Sequence, residues 1–179
     1  MGREDKAGRA LDAYLAAAAR VGDRRALALL FKRWNPRLTA HAWRLLRERE
    51  LAADATQEAW LEIVRGLPRL ADADAFAAWA YRITSRRCAK VIGRAVDARR
   101  AAETMTVGEA AAAGLEPDAV HLRRAIDGLP ADQRAAIALF YLEDMSVAEV
   151  AVALAVPAGT VKTRLMHARH KLRDALEGV

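Results

Sequence analysis

Apolar residues recur at spacings of three and four along nearly the whole chain, and runs of β-branched residues in strict alternation are missing. That period belongs to helices, not strands. The expected fold class is all-α: two small helical domains joined by a flexible linker, the C-terminal one a helix-turn-helix. Leu11, Leu15 and Val21 mark one side of a first helix, which Gly22-Asp23 stops while offering an N-cap to the next. The second helix presents Leu27, Leu30, Phe31 and Trp34. Asn35-Pro36 then reads as a cap followed by proline at a first helical position, opening a helix through Leu38, Ala42, Leu45 and Leu46. A helix from about Ala52 to Leu67 is expected to bury Ala59, Trp60, Ile63 and Val64. Asp72 or Asp74 would cap the following one, whose inner face is Phe76, Trp79, Ala80 and Ile83.

From Ala101 to Glu116 the chain reads AAETMTVGEAAAAGLE, without a large aromatic or a sustained apolar face. This is the expected linker, about 55 Å long at full extension, although its alanine run could also form a short helix. Beyond it a helix from Pro117 passes Val120 and Ile126 to Gly128, and Pro130 opens another carrying Ala135, Leu139 and Leu142. Ser146-Val147-Ala148-Glu149 has the form of a capping box, with Met145 and Val150 spaced as its hydrophobic staple. A short helix with Val147, Val150, Ala151 and Leu154 turns at Ala155-Val156-Pro157 into a final helix bearing Val161, Leu165, Ala168, Leu172 and Leu176 on one face. Two helices joined so tightly make a helix-turn-helix.

Composition sharpens this picture in three ways. Hydrophobic types supply 54% of the residues, but alanine dominates them, and most aromatics lie in the first half, from Tyr14 to Tyr81, which therefore holds the larger core. The formal charge of +6 permits a polyanionic partner without requiring one. A lone Cys88 excludes an internal disulfide, and no apolar run approaches the ~20 residues of a membrane span, so a cytoplasmic protein without membrane insertion is expected. Basic residues concentrate between Arg82 and Arg100, and on the final helix, where Lys162, Thr163, Arg164, Met166, His167, Arg169, His170, Lys171 and Arg173 fall off the apolar stripe. Such a helix suits the major groove, though a solvated basic face would carry the same residues. His167 and His170 have no third ligand near them in sequence, and no glycine-rich phosphate loop is present, so no metal, cofactor or catalytic role is expected.

The stretch GLPADQRAAIALFYLEDMSVAEVAVALAVPAGTVKTRLMHARHKLRDAL resembles the C-terminal promoter-binding domain of extracytoplasmic-function (ECF) sigma factors of the sigma-70 family. LLFKRWNPRLTAHAWRLL, ADATQEAWLEIVRGL and FAAWAYRITSRR resemble, in that order, successive parts of the sigma domain that binds polymerase and opens DNA. The resemblance implies an N-terminal helical extension over 1–22, sigma region 2 over 23–100, a linker over 101–116 and sigma region 4 over 117–179. It implies a non-enzymatic subunit that binds core RNA polymerase, through its clamp helices and flap, and directs promoter-specific initiation on promoter DNA. Control by an anti-sigma factor is a further implication.

Site residues follow from the same resemblance. Asp54, Gln57, Glu58 and Leu61 form one outward stripe that would dock on the clamp helices. Arg86, Lys90 and Arg94 would face the minus-10 element, and the loop from Arg69 to Ala75 matches the family's pocket for a flipped base. For Trp79, core packing is favoured over stacking on a base. Thr160, Lys162, Thr163, Arg164, Met166, His167, Arg169 and His170 would meet the minus-35 element. Three residues depart from the family pattern: Arg86 stands where Asn is usual, Lys90 where Asp is usual, and Ala155 replaces a common turn glycine. The competing readings are an autonomous helix-turn-helix regulator of duplex DNA, which leaves the Asp54 to Leu61 stripe unexplained, and an adaptor whose basic faces hold acidic proteins.

Overall fold

A computed structural model describes residues 3–101, 122 and 124–177, and every regular element among them is helical. Helix α1 spans Arg3–Arg20, α2 Arg24–Leu46, α3 Arg49–Gly66 and α4 Phe76–Ala101. A 3-10 turn, Leu67–Arg69, joins α3 to the loop before α4. After a helical turn over 124–127 come α5, Ala131–Ile137, which runs on as a wider turn to Leu142, then α6, Val147–Leu154, and α7, Ala158–Glu177. Apart from Ala101, the expected linker lies outside the described residues, as does the start of the helix expected from Pro117.

The largest difference from the sequence reading is at Asn35-Pro36, where no helix begins: α2 runs unbroken through Pro36. An interior proline forfeits one hydrogen bond and costs ~3 kcal/mol. Leu30, Trp34, Leu38 and Ala42, spaced by four and all buried, make one stripe that straddles it. Each large member gains roughly 1.5–3 kcal/mol from burial, so the stripe outweighs the break. Trp34 anchors it, edge-on to Phe76 at 5.3 Å and to Tyr81 at 5.6 Å between ring centroids. Leu15, Ala16 and Ala19 bring α1 into the same core.

Helix ends account for other agreements and corrections. Asp23 caps α2 through its carboxylate, which accepts from the Arg25 and Ala26 amides, as its position after Gly22 predicts. Val21 sits in the turn beyond α1 and is exposed, and Val64, Leu11, Phe31, Leu142 and Leu176 are each more than 40% exposed instead of fully inward. Asp72 accepts from the Asp74 amide, folding the loop, and is not a cap on α4. The capping box of α6 forms as expected: Ser146 Oγ accepts from the Glu149 amide and Glu149 accepts from the Ser146 amide at 2.7 Å. Met145 and Val150 are both buried beside it.

His41 is fully buried in α2, stacked edge-on against Tyr81 at 5.1 Å, with Nε2 at 2.9 Å from Ser85 Oγ and no partner for Nδ1. Burial, reinforced by Arg44, lowers its pKa to about 3. Because the folded value lies below the unfolded one, the contribution to stability is complete above about pH 6.5 and is lost as pH falls toward 3. The expected outcome is a loss of about 2 kcal/mol between pH 6.5 and 4.5 that His41→Gln lacks, read from urea midpoints of both proteins across that range.

Ala155 ends α6 with φ 53° and ψ 44°, the left-handed conformation. That region costs a residue with a Cβ about 1–2 kcal/mol, part of which glycine gives back as unfolded-state freedom. Ala155→Gly should therefore stabilise the protein by about 0.5–1 kcal/mol, seen as a higher urea midpoint at unchanged m-value.

Candidate polymerase and nucleic-acid interfaces

Helix α3 has two distinct faces. Ala52, Ala55, Thr56, Ala59, Trp60 and Ile63 are buried, whereas Asp54, Gln57, Glu58 and Leu61 are all exposed. The four candidates thus share the outer side, with Leu61 54% exposed among polar neighbours. Glu58 is not wholly at liberty: its Oε2 accepts from Arg87 Nη1 of α4 at 3.1 Å.

Where α3 meets α4, the 3-10 turn and its loop leave an open cleft of about 430 Å³, lined by Glu62, Gly66, Arg69, Leu70, Ala71, Trp79 and Ile83. Trp79 is only partly buried and forms one wall, 6.2 Å from Phe76 between centroids. It belongs both to the core and to the cleft, where the spacing favoured core alone. The ring lies so close to the α3 backbone that a Cβ on Gly66 would stand 2.8 Å from Trp79 Cζ2.

Arg86, Lys90 and Arg94 all lie exposed along α4 at four-residue spacing. Arg86, however, is turned back onto Glu62, whose other oxygen accepts from Arg87 Nη2 at 2.7 Å. Two carboxylates, Glu58 and Glu62, therefore meet two guanidinium groups at the α3–α4 corner. The sequence reading missed Glu62, although its place one turn after Glu58 and near the basic end of α4 is a visible signal.

On α7, Val161, Leu165 and Ala168 are buried against the preceding helices, leaving Lys162, Met166 and His170 exposed one turn apart with Thr163 and His167 beside them. Thr160 is partly buried in the first turn. Three candidates already have partners. Thr163 Oγ1 donates to Gly159 O at 3.1 Å, and Arg164 Nε pairs with Asp132 at 3.1 Å. Arg169 Nε donates to Tyr141 Oη at 2.9 Å, its guanidinium lying over the Phe140 and Tyr141 rings. No group of three or more His, Cys, Asp or Glu side chains among the described residues could hold a metal ion, and no described helix is long and apolar enough to cross a membrane.

Residues 30–99 match the model of Sigma-70 region 2, and residues 120–172 match that of Sigma-70, region 4. The ECF RNA polymerase sigma factor SigM of Mycobacterium tuberculosis is 34% identical, over 92% of this chain and 84% of that protein. The chain belongs to the ECF sigma factors of the sigma-70 family. As a sigma factor it is a non-enzymatic protein that directs RNA polymerase to promoters, and the autonomous-regulator and adaptor readings fall away. Similar too is the ECF RNA polymerase sigma-E factor of Escherichia coli, 29% identical over 93% of this chain and 94% of that one. The fold matches the sigma factor RpoE solved in complex with the anti-sigma factor NepR from Bartonella quintana, with TM-score 0.73 and 21% identity over 84% of this chain and 96% of that one. It also matches CnrH, solved with the cytosolic domain of CnrY, at TM-score 0.65 and 24% identity over 94% and 98% of the two chains.

The region 2 match contains both the α3 stripe and the cleft, and the packing of Trp79 on Gly66 shapes one wall of that cleft. Gly66→Ala should cost about 1–3 kcal/mol by overpacking against the indole. In the Trp79→Ala background the same change should cost little. A double-mutant cycle of urea unfolding measures the difference, and additive losses would mean that the close approach carries no strain.

Proposed function

We propose that this sigma factor engages the clamp helices of core RNA polymerase through Asp54, Gln57, Glu58 and Leu61. The observation that carries this reading is the exposure of all four on the side of α3 opposite its buried face. A polar rim around one accessible leucine suits a helix-on-helix contact. On this reading region 2 spans 23–100 and region 4 spans 117–179, with 1–22 as an N-terminal extension and 101–116 as the linker.

The cleft beside Arg69 takes a base flipped from the non-template strand, with the Trp79 wall available for stacking and Arg69 at its mouth for phosphate. Lys90 and Arg94 hold the strand's phosphates at the minus-10 element. Arg86 contributes less than its charge suggests, because Glu62 already neutralises it. On α7, Lys162, Thr163 and His167 read minus-35 base edges, with Met166 and His170 beside them, while Arg164 and Arg169, tied to Asp132 and Tyr141, act toward the backbone along with Thr160. The flap of polymerase meets region 4, and an anti-sigma factor, of the kind bound to the sigma factor RpoE of similar fold, holds the protein inactive in the cytoplasm.

Asp54→Arg combined with Gln57→Ala tests the central assignment. Both side chains are exposed, so far-UV helix content and unfolding midpoint should hold while co-elution with core polymerase falls at least tenfold. Undiminished co-elution of a folded double variant sinks the assignment.

A further inference from the structure

Four charged side chains at the α3–α4 corner form one chain of contacts, running from the stripe assigned to polymerase to the face assigned to DNA. Glu58, on the outward stripe of α3, accepts from Arg87 Nη1 at 3.1 Å. Arg87 reaches Glu62 through Nη2 at 2.7 Å and Nε at 3.1 Å, and both nitrogens converge on the same oxygen, Oε2. The other oxygen, Oε1, is held by Arg86 Nη2. Among the described residues Glu62 is the one ion-pair partner of Arg86, whose side chain is otherwise 67% exposed.

Glu62 is shared unevenly. A guanidinium fits a carboxylate best when two parallel N–H groups take its two oxygens. Arg87 is kept from that fit by Glu58, which draws Nη1 away, and by Arg86, which occupies Oε1. When Glu58 is given another partner, the first restraint goes. The Nε and Nη2 edge of Arg87 then turns onto both oxygens of Glu62, and Arg86 is displaced with its charge unpaired. Arg87 is the stronger competitor because its side chain is only 27% exposed, so it gives up less freedom in a fixed pair than Arg86 does.

We propose that Glu62 and Arg87 are positioning residues that hold Arg86 off the promoter strand until polymerase occupies Glu58, and then release its guanidinium to a phosphate of the non-template strand. This coupling rests on the polymerase and minus-10 readings under the proposed function, and links them. It gives a role to an arginine that stands where asparagine is usual, since an amide has no charge for Glu62 to withhold. Coupling of this kind is reciprocal: a strand that takes Arg86 leaves Glu62 to Arg87 and frees Glu58 for polymerase. The pairs lie at the surface, so each end of the coupling amounts to about two- to fivefold in affinity.

The experiment uses the full chain, with Glu58→Ala standing in for polymerase by removing the carboxylate that draws Arg87 away. Circular dichroism establishes that each variant is folded. In protein labelled with nitrogen-15 at arginine, solvent exchange of the Arg86 guanidinium should quicken at least about twofold in Glu58→Ala, although Arg86 does not touch Glu58. Unchanged exchange overturns the relay, as does an equal rise in the Arg87→Ala background, which marks a field effect that bypasses Arg87. Affinity for an oligo(dT) single strand at low salt should rise about two- to fivefold in Glu58→Ala, and the gain should vanish with Arg86→Ala or Arg87→Ala added. A gain that persists in both, or a released Arg86 without any gain, overturns the transfer to DNA. By reciprocity Arg86→Ala should bind core polymerase about two- to fivefold more tightly in competition with labelled wild type, and unchanged or weaker binding overturns the polymerase end. Indifference of oligo(dT) binding to Lys90→Ala and Arg94→Ala would instead locate the failure in the minus-10 reading, and indifference of core binding to Asp54→Arg with Gln57→Ala would locate it in the α3 stripe; in both cases the exchange measurement still decides the relay.

Discussion

Everything in the first half of the molecule is arranged around the buried stripe of α2. Helices α1, α3, α4 and α5 all pack against this one helix, and Leu30, Trp34, Leu38 and Ala42 are the residues it turns inward. Had the chain broken at Pro36, Trp34 and Leu38 would belong to separate elements. The edge-on contacts of Trp34 with Phe76 and Tyr81 would then no longer fix α4 at a set angle to α3. That angle shapes the cleft at the α3–α4 corner, so an unsatisfied turn of α2 is tolerated to keep the α3–α4 packing in register.

Local chemistry was readable wherever a few neighbouring residues decide the outcome. Asp23 after Gly22 and the Ser146–Glu149 box each satisfy helix-end amides by themselves, and both form as their spacing predicts. Pro36 was misread because its signal is local and its answer is not: the same dipeptide opens a helix or interrupts one, depending on burial along the thirteen residues from Leu30 to Ala42. Val64 failed for a related reason. It shares the period of Trp60 but falls where no helix among the described residues covers it, and it stays 45% exposed.

The candidate surfaces divide in the same way. Outward stripes on α3 and α7 are legible because they are the complement of an apolar face, and most of those side chains are exposed. The cleft was not legible as a shape, since it depends on Gly66 admitting an indole from another helix. Nor was the pairing of Arg86 with Glu62, residues twenty-four apart whose meeting needs the α3–α4 crossing first. A count of basic residues on α4 consequently overstates the field they present, because part of that charge is returned to carboxylates next door.

The seam between the halves adds a polar layer to the apolar packing that the whole chain shares. One buried cluster runs through both halves, where alanine-lined helices approach closely around a few large apolar side chains, a contact that salt leaves largely intact. Between the halves, apolar packing of α6 on α4 is joined by ion pairs and by Arg134, a cation whose direct partners there are carbonyl oxygens and not carboxylates. Burial lowers the pKa of that guanidinium, and the Arg47 charge beside it acts in the same direction. Desolvating such groups cancels much of what their attraction returns, so the polar part of the seam specifies geometry more than it adds strength. A join of that kind fixes one arrangement while staying within reach of forces that binding can supply, whereas the apolar core around Trp34 stays closed.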